Sequence, residues 1–204
     1  MRTEELKLKN ENISRKKIGV RQLTVIGMLS GISIMLGVTG WGYIKLPLLP
    51  VTIMHVPVII GAIIEGPIVG ICIGLIFGIS SIIQNITTPT LLSFALINPL
   101  VSVLPRMLIG ITSYYSYKVI PFNNKGIKVA VGAAVGSVTN TVGVLGMIYI
   151  LYLQQYATHM KISHVAARNA LITVATLNGT PEAIAAVIIT VPIVLGVKRV
   201  RKNK

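Results

Sequence analysis

Between Leu23 and Val197 the chain carries six apolar runs, and within them stand only two charged side chains, Arg106 and Glu182. The runs are Leu23 to Trp41, Ile53 to Ile64, Pro67 to Ile83, Leu100 to Tyr117, Val129 to Tyr152 and Leu171 to Val197. A membrane helix needs about 20 apolar residues, so the chain has room for five or six crossings. Composition agrees: 53% of the 204 residues are apolar and 12% charged, where a soluble domain has about 25% charged residues. A soluble core cannot shelter that excess, and the fold class is an all-α integral membrane protein with six transmembrane helices.

The net charge of +14 invites a nucleic-acid reading, in which a basic face neutralises phosphates. The distribution argues otherwise, because most of the bases stand in the two tails and one internal loop. Lys and Arg accumulate on the cytoplasmic side of a membrane protein. Arg2, Lys7, Lys9, Arg15, Lys16, Lys17 and Arg21 mark the N-terminal tail; Lys118, Lys125 and Lys128 mark the loop between spans four and five; Lys198, Arg199, Arg201, Lys202 and Lys204 mark the C-terminal tail. Fifteen bases then lie inside, against Lys45, Lys161 and Arg168 outside. Six crossings with both termini cytoplasmic satisfy this, with a basic tail over 1–22, a membrane domain over 23–197 and a second basic tail over 198–204. The first run follows a long polar tail rather than a short basic segment, so it reads as a retained span and not a cleaved signal.

Run two has 12 residues, or about 18 Å of helix, too short for a hydrocarbon layer of about 30 Å. The preceding stretch, Gly42 to Thr52, holds Pro47 and Pro50 and reads as a folded loop dipping into the outer half of the protein. Glu65-Gly66-Pro67 reads as a turn between runs two and three. A re-entrant hairpin entering from outside would keep the same parity of crossings.

Gly66, Gly70, Gly74 and Gly78 recur every four residues in span three, Gly132 and Gly136 in span five, and Gly27 and Gly31 in span one. Such faces let helix backbones approach closely in lipid. Packing within the chain is the expectation for spans three and five; for span one a partner helix is a further reading.

Ionisable residues inside spans mark a pathway, a site or an internal ion pair. Arg106 lies about 12 Å below Asn98 at the outer end of span four, Glu182 about 22 Å above Val197 at the inner end of span six, and Asn140 about 18 Å above Lys128. All three fall in the outer half of the layer. Asn178 stands one turn before Glu182 and shares its face; Asn178-Gly179-Thr180-Pro181 is expected to interrupt span six above Glu182. Gln84, His55 and Asn98 complete the candidate wall of a polar pocket open to the outside. The structural alternatives are an Arg106–Glu182 ion pair locking two helices, and Asn140 as interhelical glue.

Catalytic patterns are missing from the sequence. There is no Asp, which removes the usual orienter of a hydrolytic triad. The histidines have no carboxylate or Cys at metal-ligand spacing, Cys72 has no partner, and no GxxxxGK[ST] loop is present. The expectation is a protein that is not an enzyme and needs neither metal nor cofactor.

The segments VTIMHVPVIIGAIIEGPIVGICIGLIFGISSIIQN, NPLVSVLPRMLIGITSYY and NGTPEAIAAVIITVPIV resemble the membrane-embedded substrate-binding subunits (S components) of bacterial energy-coupling-factor (ECF) vitamin transporters. The similarity runs from Arg21 to Val197; its specific part is Gly66-Pro67, the span-three glycines, Pro105-Arg106 and Asn178-Gly179-x-Pro181-Glu182. It implies six helices around a vitamin pocket near the outer face, roofed by the loops Gly42 to Thr52 and Ile86 to Ile97. It also implies docking on a transmembrane coupling subunit driven by two cytosolic ATPases, through an Ala-x-x-x-Ala motif whose place is taken here by Gly27-x-x-x-Gly31. IMHVPVIIGAI and NPLVSVLPR look most like the pantothenate branch, and a guanidinium suits a carboxylate through a bidentate fork. Other vitamins of the class, such as folate or riboflavin, and a stand-alone proton-coupled permease titrating Glu182 are the alternatives; a scaffold subunit is the third class.

Overall fold

The computed structural model describes residues 18–45, 50–90 and 92–202. Arg2, Lys7, Lys9, Arg15, Lys16, Lys17, Pro47 and Lys204 lie outside the described residues. The chain forms α1 (Val20–Val38), the strands β1 (Tyr43–Lys45) and β2 (Pro50–Thr52), then α2 (Val56–Glu65), α3 (Pro67–Thr87), α4 (Ser93–Leu96), α5 (Pro99–Ser102), α6 (Leu104–Val119), α7 (Lys125–Met160) and α8 (His164–Lys202). Helices α1, α3, α7 and α8 are long and apolar enough to cross a membrane, and α2 is a shorter apolar helix of 10 residues. The chain is a helical membrane protein.

Helix α2 is the axis of the structure. Every residue from Val56 to Ile63 is buried, as expected of a helix that is apolar all round. Gly66, with φ 109°, ends α2, and Pro67 opens α3 at a position where its missing N–H costs nothing. The expected turn therefore separates the two helices. Run four is jointed rather than continuous: α5 ends at Ser102, and α6 begins two residues later.

The glycine face of α3 packs against α6 backbone to backbone. A Cβ on Gly70 would stand 2.8 Å from the Gly110 Cα and one on Gly78 2.7 Å from the Val103 Cα, while one on Gly74 would collide with the Arg106 carbonyl. Gly132 on α7 likewise faces the Ser113 carbonyl, at 2.9 Å from an added Cβ. These are intramolecular contacts, as the four-residue spacing predicts. Gly27 and Gly31 differ: both are exposed, and a Cβ on either meets nothing within 4 Å.

The stretch Gly42 to Thr52, read as a folded loop, holds an antiparallel pair, with Tyr43 opposite Thr52 and Lys45 opposite Pro50; Pro50 sits at the start of its strand, where the missing donor is tolerated. Two expectations are corrected. Spans five and six outrun their apolar stretches, α7 continuing to Met160 and α8 starting at His164. At 36 and 39 residues they are about 54 and 58 Å long, so a helical hairpin projects well past a layer of about 30 Å. Lys161, with φ 52°, turns its tip. Finally, α8 runs unbroken through Pro181. One lost backbone bond does not end a helix supported by its neighbours.

Two apolar cores result. The larger surrounds α2, with Ile59, Ile73 and Ile109 wholly enclosed. The smaller lies in the projecting hairpin, where Ile148, Tyr156 and Leu171 close over α4 and α5 through Ala95 and Val101. At the opposite end Arg21 and Arg201 both reach the Glu65 carboxylate, and Lys198 donates to the Tyr117 hydroxyl at 2.6 Å. This end, which also carries Lys125 and Lys128 at the start of α7, is the basic end.

Candidate functional site

A cavity of about 310 Å³ lies between the two cores, at the end away from the basic cluster. That is the lower edge of the range for small-molecule pockets, about 300–1,000 Å³. Helices α3, α6, α7 and α8 form its walls, the N-terminus of α2 its floor, and Tyr43 and Thr52 of the hairpin part of its rim. The other side of the rim is the segment leading into α4, including Thr90 and Leu92.

Arg106 is 8% exposed and lines this cavity. Its Nη1 donates to the Val101 carbonyl at 3.0 Å, its Nη2 reaches the Ser81 hydroxyl at 3.5 Å, and its Nε has no partner. The guanidinium carbon stands 5.5 Å from the centre of the Phe77 ring, within cation–π range. No carboxylate neutralises it: among the described residues the ion pairs are those of Glu65 with Arg21 and Arg201. A buried cation without a counter-ion is costly, and an anionic ligand in the cavity would remove that cost.

Glu182, 5% exposed, faces the same cavity but is already engaged. Thr52 donates its backbone N–H at 3.1 Å and its hydroxyl at 2.6 Å to Oε1, and Thr141 donates its hydroxyl to Oε2 at 2.8 Å. These bonds join the hairpin, α7 and α8 around one carboxylate. The Arg106–Glu182 ion pair considered from sequence is not formed.

Asn140 and Asn178 both line the cavity, each with a buried Oδ1 that lacks a partner. His55, 1% exposed, shares a 3.1 Å hydrogen bond between Nε2 and the Ser137 hydroxyl, while its Nδ1 is unpartnered. Gln84 donates to the Gly37 carbonyl at 2.6 Å and so ties α3 to α1 at the cavity edge. Tyr43 of the hairpin lines the same cavity as Arg106 and adds a phenol hydroxyl to its rim.

The structure thus brings together six of the seven residues read from sequence as the pocket: Arg106, Asn140, Asn178, Glu182, Gln84 and His55. Asn98 is elsewhere. It caps α5 by accepting from the Leu100 N–H at 2.9 Å and donates to the Tyr152 hydroxyl at 2.8 Å, which is the ordinary work of Asn before a helix-opening proline. Sequence reasoning missed Thr52 and Thr141, which hold Glu182, and Phe77, Ser81 and Asn85 on the cavity face of α3. The last three had a signal: they recur at intervals of four, one face of a helix. The threonines had none: a hydroxyl in an apolar run, such as that of Thr141, usually bonds to its own backbone, and Thr52 stands in the hairpin outside any run.

Comparison with known proteins bears on this arrangement. The family model described as "ECF transporter, substrate-specific component" matches residues 21–194. The chain is also similar to the "Pantothenic acid transporter PanT" of Lactococcus lactis subsp. cremoris (strain MG1363), at 31% identity over 168 residues, which cover 74% of this chain and 80% of that protein. The family match takes in every residue that lines the cavity, and the chain belongs to the substrate-specific components of ECF transporters.

Proposed function

We propose that this chain captures a water-soluble vitamin, pantothenate, from outside a bacterial cell and holds it for import by the rest of an ECF transporter. The observation that carries this reading is the buried guanidinium of Arg106, which faces the cavity and is paired with no carboxylate among the described residues. Pantothenate offers one carboxylate, one amide and two hydroxyls. A guanidinium accepts the carboxylate in a two-pronged bond. The free amide oxygens at Asn140 and Asn178 accept N–H and O–H donors, and Glu182 Oε2 retains one lone pair beyond the Thr141 bond. His55 and Gln84 complete the polar wall. The relative transporting pantothenic acid supports the choice of vitamin.

In this reading six segments cross the bacterial cell membrane, counting α2 with its hairpin and α5 with α6 as crossings. The basic end and both tails, 1–22 and 198–204, face the cytoplasm, and 23–197 form the membrane domain. The positive-inside distribution of Lys and Arg supports that orientation. A transmembrane coupling subunit packs on the open face of α1 at Gly27 and Gly31, and two cytosolic ATPases supply the energy.

Titration calorimetry on the purified chain tests the reading. Pantothenate binds the wild-type protein, and Arg106→Ala weakens binding more than tenfold, as expected for a lost charge-assisted pair. Unchanged affinity in that variant would refute the anchor.

A further inference from the structure

An arginine side chain has four rotatable bonds before its planar head, and burial alone does not aim it. What fixes Arg106 is a single good hydrogen bond, from Nη1 to the main-chain carbonyl of Val101 at 3.0 Å. That carbonyl is free for a specific reason. The i to i−4 ladder is interrupted at the joint between α5 and α6: the Val103 N–H donates to Pro99 at 2.7 Å and the Met107 N–H to Val103 at 3.0 Å, and neither Leu104 nor Arg106 donates in that register. The break centres on residue 105, the register's donor for Val101, which is proline: it has no N–H, and its ring displaces the carbonyl four residues before it.

We infer that Pro105 is a positioning residue for ligand binding: by withholding one backbone N–H it reserves the Val101 carbonyl for Arg106 and so aims the guanidinium into the cavity. Pro105 is fully buried. Its ring lies where α7 has Gly143, and a Cβ there would stand 2.8 Å from the Pro105 Cβ, so the neighbouring helix leaves room for it. The missing donor falls immediately before the residue whose side chain replaces it, and the replacement holds Nη1 while leaving Nε without a partner. The reserved carbonyl also faces the guanidinium with a negative dipole, which stabilises the buried cation.

This rests on the reading of Arg106 as the carboxylate anchor, and the experiment separates the two. Affinities of the full-length protein in lipid nanodiscs are measured for pantothenate and for pantothenyl alcohol, in which a neutral primary alcohol replaces the carboxylate. The wild-type protein prefers the acid; equal affinities would overturn the anchor reading and this inference with it. Pro105→Ala restores the N–H, and Pro105→Val restores it while keeping most of the ring's volume against Gly143. Both are expected to lower affinity for the acid about tenfold, the scale of one hydrogen bond to a charged group, and to leave affinity for the alcohol unchanged. Retained affinity for the alcohol also reports a folded pocket. In an Arg106→Gln background neither substitution has any further effect on either compound, because the residue through which proline acts is gone. A wild-type preference for the acid that survives both proline substitutions overturns the inference. So does recovery of that preference in Pro105→Val alone, which would assign the role to the ring's bulk, or an equal loss in the Arg106→Gln background.

Discussion

The two ends of the molecule treat their charges in opposite ways. At the basic end one carboxylate, Glu65, takes two arginines, one from the first helix and one from the last. At the pocket end a carboxylate and a guanidinium line the same cavity without pairing: Glu182 is satisfied by threonine donors, while Arg106 is held by a carbonyl with its Nε left unpartnered. Satisfied ion pairs close a structure. A cation given only neutral partners is stable enough to fold and still gains from an anion, so the arrangement at the pocket end holds binding energy in reserve.

If this contrast is sound, changes at the two ends separate binding from everything else. The largest effect is expected at neither charge cluster but on α1, whose Gly27 and Gly31 leave an open face. Gly31→Leu should abolish vitamin uptake by cells while calorimetry finds the purified chain binding as before. Loss of both would move this glycine into the same class as Gly74. Next comes the rim. Thr52→Val removes the 2.6 Å bond to Glu182 and loosens the hairpin, and stopped-flow measurements should find ligand leaving several-fold faster, in line with a charge-assisted bond. An unchanged rate would mean that the backbone N–H of Thr52 is sufficient. The smallest effect belongs to the basic end: Glu65→Gln weakens two partly exposed ion pairs at a cost of about 1 kcal/mol, read as a drop of a few degrees in Tm, with affinity within twofold of wild type. A large loss of affinity there would erase the distinction between the ends.

Much of this arrangement is legible in the amino-acid sequence. Depth along a helix follows from residue counting, so Arg106, Asn140 and Glu182 fall at one level by arithmetic alone, and the interval of four between glycines specifies a face that must meet another backbone. The features that sequence does not disclose share a different physics. Tyr43–Lys45 and Pro50–Thr52 are three-residue strands too short to show alternation, and one contains proline, so their pairing is decided by closure over the cavity rather than by local preference. The halves of α7 and α8 nearest their shared turn carry Gln, His and Thr, and hydropathy reports where an apolar run ends, not where a helix does. Pro181 reads as a break in isolation, yet α8 continues because packing outweighs one missing bond. Asn98 stands at the depth that counting gives and does different work from the one its depth suggests, since counting yields height but not the direction in which a side chain points.

The collision that any side chain on Gly74 would make with the Arg106 carbonyl has a practical corollary. The approach of α3 to α6 there is set by main-chain spacing, and even one methyl group displaces the backbone that carries Arg106. Reshaping the cavity therefore has to proceed through the side chains that line it, Phe77, Ser81 and Asn85 on α3 or Asn140 and Asn178 on α7 and α8, while the backbone stays where it is.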